Sequence, residues 1–88
     1  MTVGQIVKVK SGQGKDSLMI VIKVEERYLY LVDGRRRKLL RPKKKNIKHV
    51  SSTKVVASLI PHCGRDLQDA DIRKALRIFA LKEVSHIV

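Results

Sequence analysis

The chain has 88 residues, the size of one small domain, and carries 20 Lys and Arg against 8 Asp and Glu, for a net charge of +12. With no Trp, one Phe and two Tyr, its core must rest on Val, Ile and Leu, which favours strands over a multi-helix bundle. These figures exclude a large core and, with Cys63 the single cysteine, an intramolecular disulfide or a CxxC zinc site; the excess of cations calls for a polyanionic partner.

In chain order, residues 3 to 10 (VGQIVKVK) alternate Val7 and Val9 with Lys8 and Lys10, as a half-buried strand does. Residues 11 to 16 (SGQGKD) hold two glycines and read as a loop. Residues 18 to 24 (LMIVIKV) form a nearly continuous apolar run, the mark of a strand buried on both faces over part of its length. After a polar break at Glu25, Glu26 and Arg27, residues 28 to 32 (YLYLV) are rich in strand formers. Asp33-Gly34 is the residue pair of a type I′ hairpin turn, and residues 35 to 41 (RRRKLLR) are expected to return as the next strand, ended by Pro42. Residues 43 to 45 then form a connection and residues 46 to 50 (NIKHV) a last short strand.

Residues 54 to 60 (KVVASLI) fit a strand or a buried turn, and residues 61 to 65 (PHCGR) break whatever precedes them. Over residues 70 to 82, Ile72, Ala75, Leu76, Phe79 and Ala80 recur at helical spacing, with Asp69 as N-cap and Asp71 suited to the positive end of the helix dipole. Arg73, Lys74 and Arg77 occupy the polar face of this helix, and its apolar face is expected to pack on the strands.

The charge is unevenly placed. Residues 1 to 54 carry 15 basic and 4 acidic side chains, whereas residues 55 to 88 carry 5 and 4. The densest stretch comprises Arg35, Arg36, Arg37, Lys38, Arg41, Lys43, Lys44, Lys45 and Lys48, without an acid among them. Such crowding costs self-repulsion that a bound polyanion relieves, and phosphate contacts release counterions. A solvated face, or a hairpin whose charges guard a sheet edge, is the bland alternative. Gly12 and Gly14 leave room for a phosphate to approach the backbone, although an ordinary hairpin loop accounts for them equally well, and the spacing is not that of a P-loop. Tyr28 and Tyr30 share one strand face, where capping the core is favoured over stacking on unpaired bases.

No catalytic constellation stands out. His62-Cys63 has no third group, His49 and His86 are solitary, and helix capping accounts for Asp69 and Asp71, so neither enzymatic activity, a metal nor a cofactor is expected. No stretch approaches the roughly 20 apolar residues of a membrane span, and the N-terminus lacks a secretion signal, so a soluble cytoplasmic monomer is expected.

The succession VGQIVKVKSGQGKDSLMIVIKV, LVDG and RPKKKNIKHV resembles the KOW motif, and more specifically bacterial relatives of the large-subunit ribosomal protein L14e family, over about residues 3 to 54. The resemblance implies a mainly β fold, a small five-stranded SH3-like barrel over residues 1 to 54 that binds RNA through the KOW loop and neighbouring basic strands. Residues 55 to 88 would add a linker and the amphipathic helix. Gly12 is then the motif glycine, flanked by Lys10 and Lys15. The expected partner is RNA, ribosomal RNA or the large subunit foremost, bound through Lys10, Gly12, Gly14, Lys15 and the basic residues from Arg35 to Lys48. The alternative is a KOW protein-interaction module contacting RNA polymerase or a translation factor.

Overall fold

The structure, a computed structural model, describes residues 1–12, 14–57 and 66–87, with side chains up to residue 82. Five antiparallel strands, β1 (Gln5–Val9), β2 (Leu18–Val24), β3 (Tyr28–Val32), β4 (Lys43–Asn46) and β5 (Val50–Val56), form one sheet in the order β4-β3-β2-β1-β5. A meander of four strands is followed by a 3-10 turn, Ile47–His49, after which β5 returns to pair with β1. This is a small SH3-like barrel, and one α-helix among the described residues, α1 (Asp69–Ile87), follows it.

Strand alternation divides the apolar residues between two cores. Val7, Val9, Met19, Val21, Leu29, Leu31 and Val50 fill the barrel interior, with Ile47 packed against them. Their neighbours Ile6, Ile20 and Val32 point to the other face, where Ile72 and Phe79 of α1 cover them. Both faces of the central strands are therefore buried near α1, which accounts for the unbroken apolar run of β2. A register shift between Val21 and Lys23 displaces Ile22, which joins the helix-side cluster. Ile72 and Phe79 are nearly fully buried, each worth about 2 kcal/mol.

Four expectations fail between residues 33 and 50. Residues 35 to 41 are not a strand, because Asp33 takes the amides a ladder would use: its Oδ1 accepts from the Arg35 N–H (2.8 Å) and the Arg37 N–H (2.9 Å). The Asp33 and Gly34 amides both donate to the Arg37 carbonyl, and Gly34 but not Asp33 has a positive φ, so the turn is not type I′. The chain instead loops through residues 33 to 42, with Leu39 packed in the helix-side cluster and Leu40 fully in solvent. The supposed connection at residues 43 to 45 is the strand itself, paired Leu29 to Lys45 and Leu31 to Lys43. Of residues 46 to 50, Asn46 ends β4, Ile47–His49 form the 3-10 turn and Val50 begins β5, with Asn46 capping the turn by accepting from the Lys48 N–H at 3.0 Å. Of residues 54 to 60, those described continue as strand to Val56, and residues 58 to 65, including the expected break at 61 to 65, lie outside the described residues.

Asp69 is not the N-cap but the first residue of α1. Its Oδ1 accepts from the Leu39 N–H at 2.8 Å, tying the 33–42 loop to the helix start, while Asp71 Oδ2 accepts from the Gln68 N–H at 2.9 Å. Asp69→Ala leaves the Leu39 amide without this acceptor and removes a favourable charge from the helix start. It should cost about 1–2 kcal/mol, seen as a melting temperature lower by roughly 5–10 °C, whereas the exposed Asp66→Ala should stay within about 0.5 kcal/mol. Equal melting of the two variants would show that this tie contributes nothing.

Candidate nucleic-acid interface

The loop joining β1 to β2 is shaped by left-handed backbone: Gly12 has φ +82, Gly14 +84 and Asp16 +70. It is internally bonded. The Lys15 amide donates to the Gly12 carbonyl, the Asp16 amide to that of Val9 and the Ser17 amide to that of Gly14. These three amides are committed within the loop and are not open to a phosphate. The loop is also tied to the 3-10 turn, since Ser11 Oγ lies 2.7 Å from His49 Nδ1 and the Lys10 N–H donates to the His49 carbonyl at 2.8 Å. That tie sets exposed Lys10 beside the turn that carries exposed Lys48.

β4 delivers its lysines to two different places. Lys43 and Lys45 follow the parity of Leu31 and Leu29 and emerge at the barrel rim, beside the glycine loop. A Cβ on Gly12 would stand 2.9 Å from Lys45 Nζ, and one on Gly14 would stand 3.5 Å from Lys43 Nζ. Burial, and then the charges of Lys45 and Arg37, lower the pKa of Lys43 from its usual 10.5. Protonated Lys43 is thus disfavoured in the folded state, a penalty present at neutral pH and relieved as pH rises toward 10.5; an anion placed there relieves it without deprotonation. Two carboxylates border this surface, but Asp16 is paired with Lys8 at 4.0 Å and Asp33 Oδ1 holds backbone amides.

Lys44 faces the opposite way. Its Nζ lies 4.5 Å from the Tyr28 ring centroid and 6.0 Å from that of Tyr30, with Lys23 Nζ 5.3 Å from the Tyr30 centroid on the same side. The tyrosines therefore do not cap the core: Tyr28 is exposed and Tyr30 half-buried, because on β3 the alternate residues Leu29 and Leu31 fill the interior. Glu25 partly neutralises this face, pairing with Lys23 at 3.4 Å and accepting from the Tyr30 hydroxyl at 3.2 Å.

Of the sequence-derived candidates, Gly12, Gly14, Arg37, Lys43 and Lys45 converge, and Lys10, Lys15 and Lys48 flank them. Arg36, Lys38 and Arg41 are exposed on the 33–42 loop. Arg35 turns elsewhere, toward Arg73 and Arg77 of α1, around a groove that also includes Ser17 of the β1–β2 loop. Sequence reasoning placed the two helix arginines on a polar face but left them out of the site; their spacing of four was the available signal.

Among the described residues, no group of three His, Cys, Asp or Glu is placed to hold a metal ion, and no helix is long and apolar enough to cross a membrane. His62-Cys63 lies outside the described residues. No protein-family model matches the chain, and no curated protein matches it.

Proposed function

We propose that this protein binds structured RNA, ribosomal RNA foremost, as a KOW-type module related to the L14e family, by seating phosphates across the rim formed by β4 and the β1–β2 loop. The observation that carries this reading is the meeting of Lys43 and Lys45 with a glycine loop, where burial first, and then the charges of Lys45 and Arg37, lower the Lys43 pKa. Folding brings cations together at a cost that a polyanion reverses. The scarcity of aromatic residues and the lysines over both tyrosine rings favour contact with RNA backbone and shape over stacking as the main mode.

Because the contacts are ionic, affinity should fall steeply with salt. If about six phosphates are neutralised, the slope of log K against log salt should be roughly −4 on single strands and −5 on duplex. Titration of large-subunit ribosomal RNA fragments at several salt concentrations measures it, and co-sedimentation with the large subunit tests the ribosomal assignment. A salt-independent affinity would rule out this mechanism. A salt-resistant complex with a protein and no RNA would instead identify a protein-interaction module.

A further inference from the structure

Docking of α1 creates a groove of about 460 Å³ that no single segment of sequence contains. It is lined by Leu18 and Leu76 together with Arg35, Arg73 and Arg77, and Ser17 and Asp33 complete the lining. Arg73 Nη1 donates to the Gly34 carbonyl at 2.6 Å, which fixes one guanidinium in place. Arg35 and Arg77 have no carboxylate partner among the described residues. Three guanidiniums against one carboxylate leave the groove cationic, with two leucines as its apolar part.

The two halves of that lining select the ligand class. A bare phosphate makes no use of Leu18 and Leu76, and an apolar peptide makes no use of the arginines. A nucleotide uses both: guanidiniums fork onto its phosphate and lie flat against its base, while the leucines take the rest of the base face. Ser17 links the groove to the rim described above, since a Cβ on Gly14 would stand 3.8 Å from Ser17 Oγ and 3.5 Å from Lys43 Nζ. We infer that this groove receives one unpaired nucleotide of the bound RNA, so that the module prefers RNA in which a base has left the helix. This inference rests on the RNA-binding reading and assigns α1, which otherwise only covers the sheet, a part in recognition.

The test uses the full chain and two probes, a single-stranded uridine tetranucleotide and a blunt, fully paired RNA duplex. On titration with the tetranucleotide, the methyl signals of Leu18 and Leu76 and the Arg77 side-chain signal should shift, and with the duplex the leucine methyls should stay in place. Arg77→Ala should weaken tetranucleotide binding about tenfold, the value of one lost stacked or forked contact, and duplex binding only about twofold. Lys74→Ala removes the same charge from the same helix outside the groove and should lower tetranucleotide affinity less than about twofold. Both substitutions are at exposed helix positions, so circular dichroism should show the parental fold. Equal effects of the two variants, or leucine methyls that do not move, would overturn the groove while leaving RNA binding at the rim intact. A parent chain that binds neither probe at low salt would overturn the RNA reading itself.

Discussion

Gly34→Ala should be among the most damaging single-atom-scale changes in this protein, although it adds only a methyl group to a loop. Gly34 has φ +77, a conformation that costs an L-residue with a Cβ about 1–2 kcal/mol. The added atom would also stand 2.6 Å from the Asp69 carbonyl oxygen and 2.8 Å from Arg73 Cγ, and the first of these is helix backbone that cannot swing aside. Relief requires the loop and the start of α1 to separate. Separation breaks the Arg73 bond to the Gly34 carbonyl and the Leu39 bond to Asp69, and loosens the packing of Ile72. The combined cost should be about 3–4 kcal/mol, a large share of a small domain's stability, and should lower the melting temperature by roughly 15–25 °C. Thermal melting by circular dichroism checks it. A variant melting within a few degrees of the parent would mean that loop and helix are not held as described.

The second large effect concerns binding. The triple variant Arg37→Ala, Lys43→Ala, Lys45→Ala removes the cations that the fold gathers around the glycine loop. If each meets a phosphate, the salt slope should become shallower by about 2–3, and affinity at about 0.1 M salt should fall on the order of a hundredfold. The matched control is Lys23→Ala with Lys44→Ala, which strips the tyrosine face. That face is partly neutralised by Glu25, so the double variant should change the slope by less than about 1. Folding should be largely retained by both, because the lost groups are charges at the surface or the rim. If the control weakens RNA binding as much as the triple variant does, the interface is the tyrosine face or the whole positive surface, and the rim is not special.

Much of the architecture was legible because it depends on local pattern. The alternation of β1, the apolar run of β2, the Tyr-Leu-Tyr-Leu-Val of β3 and the helical spacing of Ile72, Leu76 and Phe79 each state which residues seek burial and at what period. The glycine loop was equally readable, and its φ values at Gly12 and Gly14 are those only glycine adopts without strain. The errors cluster between residues 33 and 50, where local propensity and tertiary context disagree. Arg-Arg-Arg-Lys-Leu-Leu-Arg looked like a strand behind a hairpin turn, but one aspartate side chain held the amides and the helix start claimed Leu39. Lys-Lys-Lys-Asn has poor strand propensity and became a strand because β3 offered an open edge to pair with.

By itself, the sequence determined the net charge of +12, its concentration before residue 54 and the strand-rich, aromatic-poor character of the core. It thereby set the expectation of a polyanionic partner, since these are properties of composition and short-range order. Only the tertiary structure decided which cations act together. Strand parity sends Lys43 and Lys45 to the glycine loop and Lys44 to the tyrosines, and helix docking brings Arg73 and Arg77 from the far end of the chain to Arg35. The physical reason is that charge is additive along a sequence, whereas a binding site depends on distance and direction, and those are set by the pairing of strands and the seating of one helix.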